Sequence, residues 1–209
     1  MKSVQISKNM KSISECTFTG CRELQSIEIP DSITTIKYNA FDGCSKLQNV
    51  KMNNGLHSIE RFAFSECKEL KQVSIPDSVL AIGDHAFSGC ELLETIQLPS
   101  GMDTIEEATF TGCYKLSGIT IPASVKTIKA YAFSECYALA KLNLLGGEIA
   151  IEENVFELEN DMEKYGNIEN SFPENTTTSK NCMLRFENIP KIKLVPVAAT
   201  AATGAAIAA

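Results

Sequence analysis

Eight cysteines and two histidines are the residues here best suited to chemistry, and their spacing decides what they can do. Cys21, Cys44, Cys67, Cys90, Cys113 and Cys136 recur every 23 residues, and Cys16 and Cys182 stand outside the series. Structural or catalytic zinc asks for Cys-x-x-Cys pairs or clustered His, and the sequence has neither. A nucleophilic thiol needs a base beside it. His85 lies five residues before Cys90, but Cys90 belongs to the recurring column and His85 to a variable position. No Asn or Asp–His arrangement accompanies either. The glycine-rich phosphate loops are absent. Glu106-Glu107 and Glu152-Glu153 read as a solvated outer face. The sequence therefore leads to no catalytic residue, no metal and no cofactor, and the chain reads as a non-enzyme.

Charge narrows the partners. Nineteen Lys and Arg stand against 26 Asp and Glu, a formal charge of −7, which is the wrong sign for neutralising phosphates and argues against nucleic acid. With 44% apolar and 22% charged residues the composition is that of a folded chain rather than a disordered one.

The elements that position these residues follow from the repeat. Phe18, Phe41, Phe64, Phe87, Phe110, Phe133 and Phe156 keep the 23-residue step, as do Ile13, Ile36, Ile59, Ile82, Ile105, Ile128 and Ile151. A fixed period of this size marks stacked supersecondary units, and seven units run through residues 1–163. Ile27/Ile29, Val73/Ile75, Ile96/Leu98 and Ile119/Ile121 alternate with polar residues, which predicts a strand with one buried face. Pro30, Pro76, Pro99 and Pro122 then end the strand. A short second strand is expected at the Ile column, followed by Ala-Phe-x-x-Cys as a single helical or 3₁₀ turn. Stacked about 4.8 Å apart, the columns of Ile, Phe, Cys and Leu form one core. Cys21 to Cys136 and Phe41, Phe64, Phe87, Phe110 and Phe133 are its expected members. The cysteine column reads as reduced thiols: stacking brings neighbours within disulfide range, but with nearly parallel Cβ vectors and interchangeable partners.

The run Leu70-x-x-Val73-x-Ile75-Pro76-Asp77-Ser78-Val79-x-x-Ile82-Gly83-x-x-Ala86-Phe87-x-x-Cys90, begun again at Leu47-x-x-Val50, resembles the BspA-like leucine-rich repeat family. The resemblance implies a repeat solenoid, mostly β, a right-handed coil of parallel strands with the first strand of each unit on the concave face. It also implies protein binding rather than catalysis, and adhesin-like display at a cell surface or outside the cell. The N-terminus shows no apolar run of the 7–15 residues of a signal peptide, so an intracellular complex is the alternative compartment.

The ends depart from the repeat. Residues 164–194 are expected to cap it, with a closing helix over Glu152–Tyr165, a loop over Gly166–Asn181 and a strand at Cys182, Leu184 and Phe186 covering the sheet. Residues 195–209 form an Ala-rich tail, the only route by which the chain would touch a membrane. Asn175-Thr176-Thr177 is a sequon by composition.

Function is expected at the variable positions. Tyr114 and Tyr137 follow Cys113 and Cys136 in adjacent units, and Leu92 lies one place further along in the preceding unit. Together with Gln97 and Thr120 on the outward strand column they are the expected contact for a protein ligand. The alternative is a structural subunit of a larger assembly, docked through the tail.

Overall fold

Each unit carries too little apolar surface to bury alone, so the fold is set by what repeats in register. The computed structural model describes residues 2–146 and 149–157, together with the backbone of one further strand at 185–187. Every unit contributes a longer and a shorter strand. In chain order they are β1 (Ser3–Gln5), β2 (Ser12–Ile13), β3 (Ser26–Glu28), β4 (Thr35–Ile36), β5 (Asn49–Lys51), β6 (Ser58–Ile59), β7 (Gln72–Ser74) and β8 (Ala81–Ile82). They continue as β9 (Thr95–Gln97), β10 (Thr104–Ile105), β11 (Gly118–Ile121), β12 (Thr127–Ile128), β13 (Lys141–Leu144), β14 (Ala150–Ile151) and β15 (Arg185–Glu187). All pairings are parallel, and all but that of β13 with β15 step by one repeat, as in Ile27 opposite Val50 and Ile36 opposite Ile59. The result is a parallel β-solenoid.

The ladders are not continuous, but their gaps are staggered. The longer strands form β1-β3-β5, β7-β9 and β11-β13-β15, and the shorter ones β2-β4-β6-β8 and β10-β12-β14. Where β5 fails to pair with β7, β6 still pairs with β8. Where β8 fails to pair with β10, β7 still pairs with β9. The second gap falls where Ser100-Gly101-Met102 replaces the Asp-Ser-Val of the neighbouring unit.

The Ala-Phe-x-x-Cys segment corrects the expectation of a short helix. No α or 3₁₀ helix occurs among the described residues. Two residues per repeat occupy left-handed backbone, as at Asn39 (φ 53°) and Gly43 (φ 68°), or His85 (φ 55°) and Gly89 (φ 70°). Helices need negative φ throughout. Instead the N–H groups alternate. Ala40, Asp42 and Cys44 donate within the segment to Lys37, Asn39 and Phe41, while Asn39, Phe41 and Gly43 donate to Arg61, Ala63 and Ser65 of the next unit. The turns are thus a third ladder. This ladder crosses the gaps, since Phe64 N–H donates to Ala86 and Phe87 N–H to Thr109.

Inside the turns the Phe rings stack face to face, with centroids 5.1 Å apart at Phe41–Phe64 and 5.9 Å at Phe87–Phe110, the widest step and the one beside the β8–β10 gap. Phe41, Phe64, Phe87, Phe110 and Phe133 are fully buried. Residues 152–157 repeat the turn, with Asn154 at φ 57°, where a closing helix was expected to begin. The rest of that expected helix, the 166–181 loop and the tail lie outside the described residues. A strand does lie near the expected place: β15 pairs with β13, Phe186 opposite Leu142.

Two stability outcomes follow. Phe87→Ala should lower unfolding free energy by about 3–5 kcal/mol in chemical denaturation, the usual cost of an emptied aromatic core site. Asn143→Ala on the strand face should change it by less than about 0.5 kcal/mol, helped by a buried Asn143 Oδ1 that has no hydrogen-bond partner. Glu66 occupies left-handed backbone (φ 55°) where most units have Gly. Glu66→Gly should therefore raise stability by about 0.5–1 kcal/mol, net of the flexibility glycine adds to the unfolded chain.

Candidate functional site

The thiols come first, because they are the most reactive groups present. Cys44, Cys67, Cys90, Cys113 and Cys136 are buried and unbridged, whereas Cys21 at the open first unit is half-exposed and Cys16 exposed. Each buried thiol donates to the Phe carbonyl of the preceding unit, Cys44 Sγ to Phe18 O at 3.1 Å and Cys90 Sγ to Phe64 O at 3.3 Å. A thiol that donates must keep its proton. Burial pushes Cys44 from 9.0 up to about 12, and raises Cys67, Cys90 and Cys113 as well. A thiolate nucleophile is disfavoured at these positions. The histidines are engaged elsewhere: His57 Nδ1 lies 2.7 Å from Gly55 O, and the His85 ring stacks on Phe62. Among the described residues no group of three or more His, Cys, Asp or Glu is arranged to hold a metal, and no helix is long and apolar enough to cross a membrane.

The outward faces carry the remaining chemistry. Several open concavities run along the longer strands. The first, of about 790 Å³, is lined by Gln5, Lys8, Glu28, Asp31 and Ser32 among others. The second, of about 550 Å³, lies over Asn49, Lys51, Gln72 and Gln97. The third, also about 550 Å³, lies over Asp77, Gln97, Thr120, Lys141 and Asn143. The structure therefore brings Gln97 and Thr120 into one hollow. Ser32 Oγ in the first hollow is buried without a partner. Its counterparts Ser78 and Ser124 each donate to a carbonyl of the preceding unit at 2.6 Å. Charged side chains on these faces pair one repeat apart, as in Lys51–Glu28 at 2.7 Å and Lys46–Glu23 at 2.6 Å. Exposed pairs of this kind contribute little to stability; their role is to set the surface charge pattern.

Tyr114 and Tyr137 do meet. Their half-buried rings lie 5.5 Å apart, tilted by 40°, just before β11 and β13. Leu92 is exposed, but its register is different. The repeat equivalent of Tyr114 is Glu91, which pairs with Lys68 at 2.6 Å, and Leu92 falls in the next column with Lys115. The tyrosine pair is thus bordered on that side by an ion pair.

Sequence reasoning missed a second aromatic group on the turn edge. Tyr38 and Phe62 meet edge to face at 6.2 Å, Phe62 and His85 stack at 4.6 Å, and the Arg61 guanidinium lies 5.2 Å from the Phe62 centroid and 5.8 Å from that of Tyr38. Phe62 and His85 are one repeat apart, so the same column count that found Tyr114 and Tyr137 would have found them.

Among known proteins, a family model described as BspA type leucine-rich repeat region (6 copies) matches residues 1–94 and 57–193. The chain belongs to the BspA-type leucine-rich repeat family. A search of curated proteins returns no match. Solved structures agree on the fold. A leucine-rich repeat protein of T. pallidum superposes with a TM-score of 0.67 at 26% identity, over 78% of this chain and 80% of that one. One from Bacteroides ovatus gives 0.59 at 27% identity, over 75% and 51%. One from Eubacterium ventriosum gives 0.62 at 18% identity, over 75% and 52%. This BspA-type chain spans about half the length of the last two.

Stability should fall in alkali. The buried thiols keep their protons in the folded state, while the unfolded chain loses them above about pH 9. Folding stability is therefore complete below that point and drains away as pH climbs towards about 12 for Cys44, by roughly 1.4 kcal/mol per pH unit for each such thiol. Denaturant midpoints measured between neutral and alkaline pH check this, and Cys90→Ala should make the decline shallower. At neutral pH a maleimide should label Cys16 first and leave Cys44 to Cys136 unmodified until denaturation.

Proposed function

We propose that this BspA-type repeat is a non-catalytic protein-interaction module that receives a protein ligand at the Tyr114–Tyr137 pair and the neighbouring Gln97–Thr120 hollow. The observation that carries the reading is the tyrosine pair, two amphipathic rings half-exposed and 5.5 Å apart on a backbone fixed by the ladder. Tyrosines in such settings bury much area for few lost rotamers, and interface energy concentrates on them. Gln97 and Thr120 add exposed amide and hydroxyl groups. Their side chains touch neighbours at 3.4–3.5 Å, distances that a partner's shorter hydrogen bonds would improve upon. Leu92, beyond the Glu91–Lys68 ion pair, belongs at the rim of such a contact. Family membership supports display at a cell surface as the setting.

The test begins with the proteins that a full-length chain captures reproducibly, identified by mass spectrometry and then titrated in purified form. Tyr114→Ala/Tyr137→Ala should keep the thermal midpoint and weaken binding of that partner by about 2 kcal/mol or more. Unchanged affinity removes the pair from the contact.

A further inference from the structure

A single Asn-Gly dipeptide occurs in the 209 residues, Asn54-Gly55. Asparagine is a chemically labile side chain, and a following glycine leaves it most open to attack by its own backbone, because no Cβ blocks the approach of the glycine nitrogen or restrains its rotation. The pair falls between β5 and β6, in the third unit. Leu56 N–H donates to Asn53 O at 3.2 Å, so Asn54 and Gly55 are the central residues of a β-turn. Asn54 is exposed, and its carboxamide is bonded to nothing among the described residues. The peptide joining it to Gly55 is likewise unbonded there, at its C=O and at its N–H. Two neighbours set the contrast. Asn53 Nδ2 donates to Ile29 O at 2.8 Å, which fixes that carboxamide. Ser100 occupies the column of Asn54 two units on, and its N–H is held by Asp77 Oδ1 at 2.8 Å. Asp31, placed as Asp77 is, makes no such bond to Asn54.

We propose that Asn54 is a site of spontaneous deamidation, and that its isoaspartyl product loosens the junction between the second and third units. The chain is its own nucleophile and water the only co-reactant. The Gly55 nitrogen gives its proton to hydroxide and attacks Asn54 Cγ. An N–Cγ bond forms, the Cγ–Nδ2 bond breaks, and Nδ2 leaves as ammonia after taking a proton from water, which returns the hydroxide. Water then opens the five-membered succinimide. Breaking the new N–Cγ bond gives aspartate; breaking the original peptide bond gives isoaspartate. Nothing is oxidised or reduced. Either product carries one carboxylate in place of an amide, so the formal charge moves from −7 to −8.

The two products differ in fit. Asp31 and Asp77 hold this column in the units on either side, so aspartate matches its neighbours. Isoaspartate lengthens the main chain by one methylene before Gly55. That residue is set so closely on the second unit that a Cβ added to it would lie 1.9 Å from Asp31 O. The longer backbone displaces this close approach, whereas the aspartyl backbone keeps it.

Prolonged warm incubation of the full chain tests this, at neutral and mildly alkaline pH below the range in which the buried thiols ionise. Isoelectric focusing should show a species with one added negative charge, accumulating faster at the higher pH because the Gly55 amide must lose its proton. Peptide mapping by mass spectrometry should place the amide-to-acid change on Asn54 as both aspartyl and isoaspartyl forms, with Asn53 unchanged. In water labelled with heavy oxygen each product should carry one labelled atom. Asn54→Gln should abolish the acidic species and keep the thermal midpoint, since glutamine must close a larger ring. Asn54→Asp should co-migrate with the aspartyl product and keep the midpoint, while the separated isoaspartyl form melts lower. A chain that gains no charge at Asn54, or gains it as fast at Asn53 or in Asn54→Gln, overturns the proposal. An isoaspartyl form that melts with Asn54→Asp overturns the loosening of the junction.

Discussion

Everything in this molecule answers to one distance, the step of about 4.8 Å between hydrogen-bonded strands. A backbone stacked on itself at that step forces each side-chain column to stack at nearly the same spacing. Phenylalanine can do so face to face, and the rings follow at 5.1–5.9 Å. Cysteine can do so because its thiol is small and finds the Phe carbonyl one unit back. Neither fit works at a single position in isolation. The 23-residue period is the length of chain needed to return each column to its place, and so the periodicity in the sequence and the ladder in the fold have a common cause.

The same step explains why the ladder tolerates interruption. Three ladders hold each unit to the next: the longer strands, the shorter strands and the turns. Where Ser100-Gly101-Met102 alters the unit, the β8–β10 pairing is absent and the Phe87–Phe110 step is widest. Yet β7 and β9 remain paired and the turn N–H groups still cross the junction. Because the gaps alternate between sheets, no junction depends on one set of bonds. Stacked repeats are stabilised by neighbour interfaces, and here each interface is redundant.

How much of this the sequence disclosed depends on whether a feature is periodic. Strands at Ile27 and Ile36, the Phe column and the Cys column were legible because alternation and a fixed step report directly on burial. The turn conformation was not. Ala-Phe-x-x-Cys has apolar residues at helical spacing, so a helical turn was the natural reading. Only the recurrent Gly20, Gly43, Gly89 and Gly112 hinted at left-handed backbone, and Phe62, His85 and Tyr131 in the other left-handed column conceal the requirement. Among site residues, the meeting of Tyr114 with Tyr137 follows from the period alone. The displacement of Leu92 does too, since one residue of offset in a stacked array is a different column. The Phe62–His85 stack was legible from the period in the same way, whereas the contacts of Tyr38 and Arg61 with Phe62 cross between two columns, which the period does not report.

Function in such a fold is confined to what stacking leaves undetermined. Inward columns are nearly invariant in type within this one chain, because a misfit at any unit would break two interfaces. Outward positions carry no such demand: Gln5, Glu28, Lys51, Ser74, Gln97, Thr120 and Asn143 fill one column of seven positions with six residue types. Departures from indifference are therefore informative. A hydroxyl left unpartnered at Ser32, although Ser78 and Ser124 show how the same position is satisfied, marks a hollow shaped by something other than the repeat. Bulky rings at Phe62, His85 and Tyr131, in backbone that favours Asn or Gly, mark an edge where strain is tolerated. Two half-exposed tyrosines in register add apolar area that the core does not need. All three depart from what the ladder alone requires, but only the rings and the tyrosines lie on its outer faces, where a second molecule can reach them; the Ser32 hydroxyl is buried.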